Sequence, residues 1–213
     1  MLRILLAAAL AGAVLSAAPA ARADGLSGDE LGRLARGETV SRPQTIENDA
    51  HRYVGGVTYT VIDATLAELE RIFDDVPAYR RLMPRTKSAV KVGAKDGDPL
   101  VELRQGNAVV EVAYTVRLHK ERASRSGVTV RFWMDKTRPH GIEDAWGFFR
   151  AEPMAEPGKV LLSYGVLVEM GDGLASLFEE RVRAAMLYVP QLVRGYVAER
   201  HAADERKRVT LRD

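Results

Sequence analysis

Residues 174–201 read LASLFEERVRAAMLYVPQLVRGYVAERH, and this stretch decides the fold. Apolar residues recur at Leu174, Phe178, Val182, Ala185, Val189, Leu192 and Tyr196. Steps of three and four place them on one stripe of a helix. Glu179, Glu180, Arg183, Arg194, Glu199 and Arg200 fill the other side. At about 1.5 Å per residue the segment would be roughly 40 Å long, enough to cross a small sheet. Pro190 lies inside the pattern and should bend the helix near Tyr188. Most of the chain before it reads as strand, so the stripe is expected to pack on a curved sheet, closing over it fully or leaving a cavity.

The strands can be read in order. Tyr53 to Asp63 alternates, with Val57, Tyr59 and Val61 expected toward the core and Thr58 and Thr60 away from it. Thr65 caps a helix whose buried side is Leu66, Leu69, Ile72 and Phe73. Pro77 starts a second short helix through Leu82, and Pro84 ends it. Strands then follow one another. Gly106-Asn107 is a two-residue hairpin signal that would set Leu103 opposite Val110 and Val101 opposite Val112. Further inward rows are Val110, Val112, Tyr114, Val116 and Leu118, then Val128, Val130, Phe132 and Met134. Ile142, Trp146 and Phe148 form the next, and Val160, Leu162, Tyr164, Val166 and Val168 the last. Upstream, Ser27 and Glu30 resemble a capping box before a helix over Asp29–Arg36. Glu38 to Ile46 suits an edge strand only, because of Pro43. The class is α+β: a curved antiparallel sheet of about seven strands wrapped on a long C-terminal helix, with two short helices after the first strand.

The N-terminus is a different kind of segment. A short basic start through Arg3, an apolar run from Ile4 to Leu15 and Ala21-Arg-Ala23 make a secretory leader cleaved near Ala23. The expected organisation is 1–23 leader, 24–52 N-terminal helix and extension, 53–203 main domain and 204–213 charged tail. Without cysteine, neither disulfides nor a lipid-modified cysteine can help in an oxidising compartment. The formal charge is +2, but Arg3 and Arg22 lie in the leader and leave basic and acidic residues equal at 29 each. That balance gives no general attraction to nucleic acid. The four histidines lie far apart, and no zinc, phosphate-loop or dinucleotide pattern occurs, so no metal site or cofactor is expected.

The element order resembles the helix-grip fold of the START-like (SRPBCC) superfamily. The matching stretches are Val57-Thr-Tyr-Thr-Val-Ile-Asp-Ala-Thr65, the helix Glu68–Asp75, Tyr79-Arg-Arg-Leu-Met-Pro84 with Ser88, Gly147-Phe-Phe149 and Leu187-Tyr-Val-Pro190. They span Gly55 to His201 and include no catalytic signature. The superfamily includes lipid-transfer START domains, coenzyme Q-binding proteins and polyketide cyclase/dehydrase proteins. The resemblance implies an apolar cavity between the long helix and the sheet, and a hydrophobic ligand such as a lipid, isoprenoid, quinone or sterol-like molecule.

On that footing the ligand-binding candidates are Tyr59, Met83, Tyr114, Phe132, Met134 and Trp146. Phe148, Tyr164, Phe178 and Met186 join them, and Asp144 is a candidate polar anchor. Arg80, Arg81, Arg85 and Lys87 could form a basic rim that touches a membrane transiently. The expected role is an exported, periplasmic or secreted carrier, more in keeping with binding than with catalysis. One alternative is a polyketide cyclase/dehydratase using Asp144 or His140. The other is an accessory protein docking an envelope or respiratory complex.

Overall fold

A computed structural model describes residues 25–47, 51–107, 111–123, 127–169 and 172–210, without the side chains of 122, 123 and 172–178. The leader expected over residues 1–23 lies outside the described residues. The chain begins with α1 (Gly28–Ala35), where Ser27 and Glu30 form the expected capping box. The strands β1 (Val40–Glu47) and β2 (Arg52–Asp63) follow. Next come α2 (Leu66–Asp74), capped by Thr65, a short 3-10 turn (Val76–Ala78) and α3 (Tyr79–Leu82). Six strands succeed one another: β3 (Thr86–Lys95), β4 (Asp98–Gly106), β5 (Glu111–Ala123), β6 (Gly127–Met134), β7 (Asp144–Pro153) and β8 (Lys159–Glu169). Two helices close the chain, α4 (Asp172–Leu187) and α5 (Val189–Thr210).

All eight strands form one antiparallel sheet in the order β1-β2-β8-β7-β6-β5-β4-β3. The edge strand brings the number to eight. Pro43, which has no N–H, is accommodated there. The N-terminal extension is thus part of the sheet, since β1 pairs with β2 from Val40↔Tyr59 to Glu47↔Arg52. The charged tail continues α5 as far as Thr210.

The long helix breaks at Tyr188. Pro190 cannot donate a backbone hydrogen bond, and α5 restarts with Gln191 and Leu192 donating to the Tyr188 carbonyl. Beyond the break, α5 buries Val189, Val193 and Val197. The large core joins these to α2, α3 and the inward rows of β4 through β8.

Three expected details differ. Gly106 pairs with Glu111, so the β4–β5 connection is longer than two residues. Leu103 then faces Tyr114 and Val101 faces Val116. The slip along β5 is four residues, an even number, so apolar still meets apolar and the faces survive.

On β2 the faces are reversed. Thr58, Thr60 and Ile62 are fully buried, and Ile62 joins the large core. Tyr59 instead packs with Leu34, Val40 and Leu161 in a second cluster on the other face. The buried threonines are tolerated because their hydroxyls are paired. Thr58 Oγ1 meets Ser41 Oγ at 3.1 Å, and Thr60 Oγ1 meets Thr39 Oγ1 at 3.2 Å. The apolar-in rule fails here because α1 covers the sheet's outer face.

On β7 the inward residues are Ala145, Gly147, Phe149 and Ala151, while Trp146 and Phe148 lie on the outside. The Phe148 ring lies over Gly165, where a Cβ would stand 2.4 Å from it. Trp146 and Phe148 thus cover the outer face, while the inward row carries one large side chain, Phe149, among Ala145, Gly147 and Ala151.

Candidate functional site: a cavity beneath the broken helix

Ala145 and Phe149 of β7 face Met186 and Val189, which flank the break at Tyr188. Between them is a cavity of about 400 Å³. Its floor is the inward face of the sheet: Val101 and Leu103, Tyr114 and Val116, Phe132, Ala145 and Phe149, then Tyr164 and Val166. Val182, Ala185, Met186 and Val189 roof it. Tyr79 and Met83 close one side. The exposed lining residues Arg85, Asn107, Gly141 and Arg181 mark the mouth. The loop before β7 is held there by Gly141 N–H donating to the Ala113 carbonyl at 2.9 Å.

The deep floor is aromatic. The Phe149 ring centre lies 5.1 Å from Phe73 and 4.7 Å from Tyr164. Phe132 stacks against Tyr164 at 6.3 Å with planes 23° apart. Such contacts fix the rings and make a rigid apolar surface.

Polar groups in the wall are few. Tyr114 Oη donates to Gln105 Oε1 at 2.6 Å, and Gln105 Nε2 donates to Thr86 Oγ1 at 3.0 Å. Burial pushes the Tyr114 phenol up. Burial, with the nearby Tyr114 phenol, does the same to Tyr164. Both stay neutral at ordinary pH. Charge is confined to the mouth, where Arg85 and Arg181 are exposed. Among the described residues, no group of three or more His, Cys, Asp or Glu is placed to hold a metal ion.

Of the sequence candidates, Met83, Tyr114, Phe132, Tyr164 and Met186 line this cavity. The Phe178 side chain lies outside the described residues. The others are elsewhere. Tyr59 is under α1 on the outer face. Met134 is buried but borders a separate shallow cleft with Asp144 and Trp146. Phe148 covers Gly165 on the outside. Asp144 accepts from Tyr53 Oη at 3.1 Å and from Lys136 Nζ at 2.8 Å, and it borders the separate cleft rather than the mouth of this cavity. His140 is an exposed turn residue whose Nδ1 lies 2.7 Å from the Ile142 carbonyl. The basic rim is thinner than its composition: Arg81 pairs with Glu199, and Lys87 pairs with Glu111 at 2.6 Å.

Sequence reasoning missed Gln105, Phe149, Arg181 and the small floor residues. Gln105 continues the row of Val101 and Leu103, so its parity points to it. Phe149 is hidden beside Phe148, because only one of two adjacent aromatics can face inward.

No family model matches the sequence, and no curated protein matches it. Solved structures do resemble it. A STAR-related lipid transfer protein from Xanthomonas axonopodis superposes with a TM-score of 0.60 at 16% identity, over 75% of this chain and 93% of that one. Human StAR-related lipid transfer protein 5 gives 0.52 at 10% identity, over 75% and 88%. The di-domain ARO/CYC StfQ from the steffimycin biosynthetic pathway gives 0.52 at 11% identity, over 69% of this chain and 45% of that one. At these identities the likeness speaks for the fold alone. With its eight-stranded antiparallel sheet gripping a broken C-terminal helix, the chain has the START-like helix-grip fold.

Proposed function

We propose that the protein is a carrier or binding protein that holds one hydrophobic small molecule in the cavity under α4 and α5. The cavity carries the reading. It is about 400 Å³, walled by apolar and aromatic side chains, with charge only at its mouth. That volume lies toward the low end of the roughly 300–1,000 Å³ of small-molecule pockets. It suits one acyl chain or a few fused rings better than a whole diacyl lipid. The driving force would be removal of apolar ligand surface from water, about 25 cal/mol per Å². The lipid-transfer proteins among the structural neighbours support this reading by fold. The leader pattern supports work outside the cytoplasm, in a periplasm or after secretion, with loading at a membrane surface through Arg80 and Arg85.

The enzyme reading has less support. It needs proton transfer by Asp144 or His140, and neither reaches the cavity. Docking to an envelope or respiratory complex would suit a filled core better than an open one.

An Ala185→Trp substitution tests the carrier reading. The indole would enter the cavity from α4. The variant should keep its circular dichroism spectrum yet lose the fluorescence of bound N-phenylnaphthylamine shown by the wild type. Equal fluorescence from a folded variant would place the probe elsewhere and count against the cavity.

A further inference from the structure

The Tyr164 hydroxyl differs from three other phenols of the fold. Tyr79 Oη donates to the Phe73 carbonyl at 2.8 Å, Tyr53 Oη to Asp144 at 3.1 Å and Tyr114 Oη to Gln105 at 2.6 Å. Tyr164 is 3% exposed and lines the cavity, and its hydroxyl has no hydrogen-bond partner among the described residues. The residue sits in the middle of β8, between Thr58 on β2 and Phe149 on β7. Its ring is held against Phe132 and Phe149, so the hydroxyl is presented from a fixed platform. The hydroxyl is not among the enclosed polar atoms that lack a partner, so it opens onto the cavity. Its partner is whatever fills that space, and an apolar ligand that displaced water without replacing its hydrogen bond would leave the O–H unmatched at a cost.

The chemistry of that partner is constrained. No cation lies in the described cavity wall inside the mouth; Arg85 and Arg181 are both exposed. An ionised carboxylate at this depth would be desolvated without a counter-charge. A neutral oxygen meets the need without that penalty.

Resting on the carrier reading, we propose that Tyr164 determines specificity by donating a hydrogen bond to an uncharged oxygen, an alcohol or a carbonyl, on an otherwise apolar ligand. The ligand enters oxygen first, and its apolar body fills the space between the aromatic floor and the helix roof. The cavity then discriminates against plain hydrocarbons, which leave the hydroxyl unmatched, and against carboxylates, which lack a counter-ion.

The test compares naphthalene, β-naphthol and β-naphthoate as ligands for the wild type and for Tyr164→Phe, which removes one oxygen and keeps the ring. Binding is read by calorimetry. Wild type should take β-naphthol over β-naphthoate, and Tyr164→Phe should weaken β-naphthol by about tenfold while leaving naphthalene unchanged. If Tyr164→Phe leaves β-naphthol affinity intact, or weakens all three alike, the proposal is overturned. Tighter binding of β-naphthoate than of β-naphthol by wild type also overturns it. If wild type binds none of the three, the carrier reading itself falls, an outcome distinct from loss of the preference.

Discussion

Gly147 and Val166 are register partners on β7 and β8, with backbones so close that a Cβ at 147 would stand 3.0 Å from the Val166 Cα. The same Cβ would lie 2.2 Å from the Gly165 carbonyl oxygen and 2.5 Å from Phe132 Cζ. On its other side Val166 pairs with Gly56, and the neighbouring Gly55 also has no room for a Cβ. Glycines thus cluster where the sheet curls under the helix, a position that suits residues without side chains.

Gly147→Ala should therefore destabilise the protein by about 1–3 kcal/mol, the cost of overpacking a closed site. The urea midpoint checks it. Because Phe132 must swing toward the cavity, probe uptake should fall as well. An unchanged midpoint would mean that the strands separate freely, against their close approach at Gly147.

Gly195 is the opposite case. It lies inside α5, and a Cβ at this position would meet nothing within 4 Å. Gly195→Ala should stabilise by about 0.5–1 kcal/mol, because alanine restricts the unfolded chain and favours the helix. Thermal unfolding would show a higher midpoint. A lower one would place Gly195 against a neighbour that the structure does not contain.

Acid should loosen the N-terminal helix late. Glu30 is held at about 2, chiefly by the Arg42 guanidinium and the Ser27 backbone N–H. A depressed carboxylate contributes stability above its unfolded value, near 4.5, and loses it as pH falls toward about 2. Hydrogen exchange in α1 should stay slow at mildly acidic pH and speed up as the lower value is approached. In Arg42→Gln the transition should move up toward the ordinary carboxylate range. High salt should weaken the effect, since the pair is partly exposed. An unmoved transition in Arg42→Gln would remove Arg42 as the cause.

Much of this fold is legible in the sequence because its elements carry local signals. Thr65, Pro77, Pro84 and Pro190 punctuate the chain where the helices start, stop or break. Most rows of the sheet follow simple alternation. Face assignment fails on β2 because its core row carries threonines at 58 and 60 while the apolar row lies under α1, and on β7 because aromatics stand on both faces. Val57, Tyr59 and Val61 look like a core row until α1 is known to cover them. Trp133 and Trp146, direct cross-strand partners, are 37% and 45% exposed. Bulk points Trp146 inward, whereas Ala145 lines the cavity there and Gly147 has no room for a side chain. The β4–β5 loop length is not legible either, because an even slip in register preserves every face. Half of the cavity is therefore readable as alternation, and the part that β7 supplies is hidden by the bulk of Trp146 and Phe148.

The central claim is that the space under α4 and α5 is occupied by an apolar molecule in the working protein. The most direct test is native mass spectrometry of protein purified from its own source without detergent, followed by organic extraction. The expected result is a non-covalent added mass that extraction releases and that Ala185→Trp lacks. A single unliganded mass for both proteins, with no uptake of an apolar probe by the wild type, would contradict it.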